Sequence, residues 1–124
     1  MLRPVRFSAW HPLDDAGRAA PAAPGILQIR AASVMAYPQG RSAMVFYDAA
    51  APHTLAEHVA ASPGRAGLDR ARAQGGTYVR FAPTGPEAAA RELQRLLHDF
   101  GARFGRWPIA NETRTDPREA TRSP

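Results

Sequence analysis

Residues 84–104 read TGPEAAARELQRLLHDFGARF, and this stretch decides more of the fold than any other. A capping-box pattern at 84–87, with Pro86 in the first turn, predicts where a helix begins. The apolar side chains recur at helical spacing and form one stripe: Ala89, Leu93, Leu96, Leu97, Phe100 and Phe104. Gly105 follows and can cap the helix end. The sequence therefore predicts a long amphipathic helix that packs one face on a core.

Three apolar segments upstream predict the strands that this helix covers. Residues 26–30 and 42–47 flank a turn at 37–40, which favours an antiparallel pair, and 77–81 form a third strand. The near-continuous apolarity of 42–47 predicts a buried central strand. A capping box at 54–57 predicts a short helix that ends at Pro63, and one or two further helical turns are expected over 65–74. The predicted fold class is α/β of the α+β kind, a small, mostly antiparallel three-stranded sheet flanked by helices.

Both ends of the chain have a different character. Residues 1–24 predict an irregular N-terminal arm with a short strand at 5–7, because Pro21 and Pro24 interrupt regular structure. Residues 112–124 contain no large apolar side chain and predict a disordered tail. The folded domain is therefore expected over 25–111. A proline-rich arm can also order on a protein partner, which makes such a partner one hypothesis.

Composition limits the class of protein. The chain has 124 residues, enough for one domain, and 44% of them are hydrophobic. It has no cysteine, and no apolar run is long enough to span a bilayer. We expect a cytoplasmic bacterial protein without a membrane partner. The net charge is +5 and every basic residue is arginine, so DNA or RNA is a candidate partner.

Four segments occur in a suggestive order: GILQIR at 25–30, SAMVFYDAA at 42–50, LAEH at 55–58 and FGRWPIAN at 104–111. Two motifs on paired strands, then a helix, then a glutamate and an asparagine resemble the GIY-YIG nuclease superfamily over 25–111. The resemblance implies a GIY-YIG-like fold with an endonuclease site. It implies that Glu92 holds a divalent metal, Mg²⁺ or Mn²⁺, while Tyr47 activates the nucleophile and Asn111 belongs to the same site.

Several positions depart from the family pattern. Leu27 and Phe46 stand where the family has tyrosines, and Asp48 replaces a glycine. A phenyl ring cannot transfer a proton, and Tyr47, one residue further along the strand, points to the opposite face. The helix at 54–61 has no arginine to steady a phosphate. The sequence therefore favours a non-catalytic domain without a cofactor, which binds nucleic acid or a protein. The alternatives are a metal-dependent endonuclease with a rearranged site and an interaction subunit of a larger bacterial assembly.

Each candidate residue also has an ordinary interpretation. Glu92 can form a helix-flank ion pair with Arg95, and Asn111 can hold a turn. His58 can be a pH-sensitive or phosphate-contacting group, although it is more typical of a helix surface. His11, His53 and His98 show no zinc-ligand spacing with one another. Trp107 can pack against the sheet or stack on a base. Four arginines are predicted to form a basic rim that follows a phosphate backbone, or else a solvated loop: Arg41, Arg65, Arg70 and Arg72.

Overall fold

A computed structural model describes residues 5–111 as an α+β domain with a four-stranded antiparallel sheet. The strands are β1 (His11–Pro12), β2 (Gly25–Tyr37), β3 (Gly40–Ala50) and β4 (Gly76–Pro83), in the spatial order β1-β4-β2-β3. The helices are α1 (Ala16–Ala19), α2 (Leu55–Ala60), α3 (Gly64–Ala73) and α4 (Pro86–Phe104), and a 3-10 turn spans Leu13–Asp15. The predicted tail at 112–124 lies outside the described residues. None of the helices in the described part is long and apolar enough to cross a bilayer.

The fourth strand comes from the N-terminal arm, so the prediction of three strands was wrong. Strand β1 pairs with β4, with His11 opposite Val79. The backbone N–H of Ser8 also donates to the carbonyl of Phe81 at 2.7 Å. Pro12 has no N–H to offer a further neighbour, which suits the edge of a sheet. Residues 5–7, predicted as a strand, form none, and the arm expected to be irregular instead lies along β4 and continues into α1.

Strand β2 is central, and β3, which the sequence predicted as central, lies at the other edge. The prediction was wrong because β3 is apolar for another reason: helices cover both of its faces. Phe46 belongs to a core cluster that includes Leu55 of α2 and Leu68 of α3. Tyr47, its neighbour, packs in a second cluster with Phe100 of α4. Side chains that alternate between two covered faces give the continuous apolar run normally seen in central strands.

Helix α4 is confirmed nearly as predicted. Tyr47 meets Phe100 edge to face, with ring centroids 5.7 Å apart. Gly105 ends the helix in the left-handed region at φ 87°. The capping box predicted at 84–87 was wrong, because Gly85 is the N-cap and the Thr84 hydroxyl donates to the Gly85 carbonyl instead.

The capping box at the start of α2 is present. The Thr54 hydroxyl accepts from the N–H of Glu57, and the Glu57 carboxylate accepts from the N–H of Thr54. The hydrogen bonds that the Glu57 carboxylate forms with the N–H and the side chain of Thr54 hold the pKa of Glu57 below its usual value. Helix α3 is longer than the predicted one or two turns. Gly67 permits its close approach to β3, because a Cβ there would lie 2.9 Å from the Phe46 ring.

Candidate nucleic-acid interface

A row of polar side chains crosses the sheet on the face that carries α4. Gln28 of β2 stands opposite Tyr47 of β3 on one side and opposite Arg80 of β4 on the other. Two residues further along β2, Arg30 stands opposite Tyr78. Residues in register across antiparallel strands share a face, and residues two apart on one strand do too. Since Tyr47 packs on α4, all five side chains project from that face.

Arg80 is held at three points. Its Nε donates to Gln28 Oε1 at 2.8 Å, and Gln28 is only 3% exposed, so the acceptor is fixed by burial. The guanidinium carbon lies 4.4 Å from the ring centroid of Phe7 and 4.4 Å from that of Trp10. Both distances are well inside the range for attraction between a cation and an aromatic ring. The N-terminal arm thus packs two aromatic rings on one strand arginine.

Arg30 is held in a similar way. Its guanidinium carbon lies 5.1 Å from the Trp10 ring centroid and 5.2 Å from that of Tyr78. Its Nε is buried and has no hydrogen-bond partner among residues 5–111. The Trp10 ring therefore contacts both guanidiniums. We call the five residues together the arginine–aromatic stack: Phe7, Trp10, Arg30, Tyr78 and Arg80.

The stack concentrates positive charge. None of the ion pairs between described residues includes Arg30 or Arg80. Burial lowers the pKa of Arg80, neighbouring Tyr47 raises it, and the like charge of Arg30 lowers it again. A guanidinium remains protonated despite such shifts, because its ordinary pKa is far above neutrality. Since no carboxylate of the described residues pairs with either cation, an anion bound from outside the domain would stabilise both of them electrostatically.

The stack is not evident from the sequence. Residues 6–10 lie in the stretch predicted as an irregular arm, and neither Arg30 nor Arg80 is among the predicted site residues. One signal was available, because an arginine in a mostly apolar strand is unusual, and Tyr78 and Arg80 alternate onto one face of β4. The rings from the arm could not be foreseen, because they reach Arg80 only through the pairing of β1 with β4.

The four arginines of the predicted rim lie elsewhere. Arg72 of α3 bonds to Asp14 at 2.9 Å and to Asp69 at 3.4 Å. Arg70 lies over the Phe46 ring, 5.8 Å from its centroid, on the face opposite the stack. Exposed Arg65 is on the same helix. Arg41 is in β3 next to the hairpin turn, where it faces Ala36 of β2.

Tyr47 and Asn111, two of the three predicted catalytic residues, do meet, but through the Tyr47 backbone. The Tyr47 N–H donates to Asn111 Oδ1 at 3.0 Å, and Asn111 Nδ2 donates to the Tyr47 carbonyl at 2.9 Å. Asn111 is 3% exposed. Its amide therefore pairs with the outer edge of β3 much as another strand would. Burial also raises the pKa of the Tyr47 phenol far above its usual value, so the hydroxyl stays protonated.

Glu92, the third predicted catalytic residue and the predicted metal ligand, forms an ion pair on α4. Its Oε2 accepts from two nitrogens of Arg95, at 2.7 and 3.0 Å. Asp99 meets the same guanidinium at 3.3 Å. Among residues 5–111, no three acidic, histidine or cysteine side chains come together closely enough to hold a metal ion. The residues present therefore do not fit the divalent-metal site that the resemblance implies.

The positions of the two missing tyrosines are part of the core. Leu27 and Phe46 are fully buried and belong to the cluster under α2 and α3. His58, expected on a helix surface, is also buried there and bonds to Asp48. Trp107 is 40% exposed, and a Cβ on Gly101 of α4 would lie 3.4 Å from its Cδ1. Searches with the sequence and the structure against protein-family models, curated proteins and solved structures found no match.

Proposed function

We propose that this domain is a non-catalytic, GIY-YIG-like module that binds single-stranded nucleic acid through the arginine–aromatic stack. One observation carries the proposal: Arg30 and Arg80 are fixed against aromatic rings and form no ion pair within the described residues. Proteins that bind single strands combine cations for the phosphates with aromatic rings for the bases. The stack places both in one surface.

The chemistry favours a single strand over a protein partner. Trp10 and Tyr78 are only half-buried, so ring surface remains for an unpaired base. The net charge of +5 adds a long-range attraction to any phosphate backbone. The arm, which was the predicted surface for a protein partner, is engaged within the domain, since β1 pairs with β4 and Ser8 bonds to Phe81.

The same geometry argues against catalysis by the predicted residues. Asn111 is occupied by backbone bonds, Glu92 by Arg95, and the Tyr47 phenol is buried and protonated. Two of the three side chains are therefore engaged by other groups, and the protonated phenol cannot act as a base. Leu27 and Phe46 offer no proton-transfer group to replace them. These contacts support our proposal of binding without cleavage.

Fluorescence anisotropy with labelled oligonucleotides tests the proposal. Single-stranded DNA and RNA and a DNA duplex are titrated in the presence of a chelator, with the wild type, Arg80→Met and Arg65→Met. Arg65 is the matched control, because it is an exposed arginine on the opposite helix layer and its loss removes the same charge. We expect Arg80→Met to weaken single-strand binding about tenfold, because it removes a phosphate-binding cation together with the group that holds the Phe7 and Trp10 rings, and Arg65→Met to weaken it by only about twofold.

Three results would contradict the proposal. Equal losses in the two variants would mean that net charge alone drives binding. Tighter binding of the duplex than of either single strand would exclude base stacking as its basis. Cleavage that is abolished in Glu92→Gln would restore the endonuclease hypothesis. Arg80→Lys adds a further check, because it keeps the charge but loses the flat stacking surface, and we expect it to resemble Arg80→Met.

A further inference from the structure

Three side chains form a hydrogen-bonded chain on the face opposite the arginine–aromatic stack. Asp48 lies near the end of β3, His58 lies on α2, and His53 lies in the loop between them. His58 Nε2 and Asp48 Oδ2 are 2.8 Å apart, and His53 Nε2 and His58 Nδ1 are also 2.8 Å apart. The other Asp48 oxygen accepts the N–H of Ala49 at 2.9 Å. The two imidazoles and the carboxylate thus form one continuous relay.

The direction of each bond in the relay follows from the carboxylate. An ionised carboxylate only accepts, so His58 Nε2 must carry a hydrogen and donate it to Asp48. A neutral His58 then has a lone pair on Nδ1, which accepts a hydrogen from His53 Nε2. The remaining nitrogen of His53, Nδ1, is left to take up a proton from solvent, because His53 is exposed while His58 is 8% exposed.

The relay keeps both of its hydrogen bonds when one proton is added to it, but not when two are added. A first proton on His53 Nδ1 leaves both bonds in place, since His53 still donates to His58 and His58 still donates to Asp48. A second proton has to go to His58 Nδ1, which is the acceptor of the bond from His53. Both nitrogens of that contact then carry hydrogens and both rings are positive, so the contact becomes repulsive.

The environment of the relay supplies few other charges. Asp48 faces it from β3, and Glu57 of α2 lies near enough for the His53 charge to lower the Glu57 pKa, after the larger effect of the bonds to Thr54. Helix α3 meets His58 with Gly64, where a Cβ would lie 2.7 Å from the imidazole, and the next residue is exposed Arg65. Helix α1 carries Arg18, which is paired with Asp15. No described carboxylate besides Asp48 bonds to either histidine.

We propose that Asp48, His58 and His53 form a proton-operated latch that holds the β3–α2 loop closed with one bound proton and opens it with two. Opening affects more than the loop. The first N–H groups of α2, those of Leu55 and Ala56, donate to the carbonyls of Ala23 and Pro21. Both carbonyls belong to the last residues of the N-terminal arm, so release of the loop loosens the attachment of the arm to α2. The latch does not depend on what the domain binds.

Hydrogen exchange of the α2 amides, measured by NMR between pH 8 and pH 4, tests the latch in the full chain. We expect the opening constant to rise about tenfold per pH unit in the acid range, because the open state binds one more proton than the closed state. His53→Gln should abolish the rise. Its amide can donate to neutral His58 and, after a flip, accept from charged His58, but it takes up no proton. His98→Gln, at an exposed histidine of α4, should behave as wild type.

Three results would overturn the proposal. The first is a wild-type opening constant that does not change with pH, and the second is an opening constant that rises equally in His53→Gln. The third comes from the nitrogen chemical shifts of the rings: at pH 8, His58 must show a bare Nδ1 and a protonated Nε2, and the reverse assignment would refute the relay. Because this third measurement needs only the folded wild type, poor folding of a variant does not leave the latch untested.

Discussion

Replacement of Asn111 by alanine is expected to destabilise the domain severely, because this side chain completes the outer edge of β3. The change removes two hydrogen bonds, of 3.0 and 2.9 Å, and leaves the N–H and the carbonyl of Tyr47 without their partners in a buried site. A buried backbone group without a partner costs about 1–3 kcal/mol. Two such groups, partly rehydrated through the space that alanine leaves, give a loss of about 2–4 kcal/mol.

Urea unfolding followed by far-ultraviolet circular dichroism measures this loss. Gln94→Ala is the matched control, because it removes a similar amide from an exposed position of α4, and we expect it to change stability by less than about 0.5 kcal/mol. The dependence of the unfolding free energy on urea should stay the same in both variants. A loss below about 0.5 kcal/mol for Asn111→Ala would refute the structural role and return Asn111 to the list of candidate catalytic residues.

The remaining predictions concern titration, packing and the ion pair. Burial raises the pKa of Tyr47, and also that of Tyr37, above the value in the unfolded chain. The unfolding free energy is therefore highest below about pH 10 and falls by at least about 1.4 kcal/mol per pH unit above it. Urea unfolding in alkaline buffers measures this loss, and an unchanged unfolding free energy up to about pH 11 would contradict it. Gly67→Ala should cost about 1–3 kcal/mol through its clash with Phe46. Urea unfolding at neutral pH measures this loss. In the same assay Gly17→Ala, in open space on α1, should stabilise the domain by about 0.5–1 kcal/mol, and changes of the same sign in the two variants would contradict the packing. Glu92→Gln should cost less than about 1 kcal/mol in urea unfolding, as expected for a surface ion pair, and a larger loss would indicate a further partner.

The long helix, the hairpin of β2 and β3, and strand β4 were all evident from local patterns. Apolar periodicity marks α4, and the turn at 37–40 sets the antiparallel pairing of the strands around it. The edge position of β3 was not evident, because periodicity reports how many faces are covered and not how many strands are neighbours. The two-residue β1 is too short to have any periodicity at all.

The candidate sites depend on contacts between residues that are far apart in the chain. His58 is buried and bonds to Asp48, ten residues away on another element, whereas the helix pattern alone favoured exposure. The bonds of Asn111 to Tyr47 span 64 residues. The stack needs the arm to lie along β4 before Trp10 can reach Arg80. Residue types indicated which chemistry was present, but only tertiary contacts determine which groups are engaged and which are free.

Binding at the arginine–aromatic stack is tested most directly by following the arginine and tryptophan side-chain N–H signals by NMR while a short single-stranded oligonucleotide is added. We expect the Nε–H signals of Arg30 and Arg80 and the indole N–H signal of Trp10 to shift together and saturate at one equivalent. The Nε–H signals of Arg65 and Arg72 on α3 should stay in place. Shifts confined to the α3 arginines, with the signals of Arg30, Arg80 and Trp10 unmoved at saturation, would contradict binding at the stack.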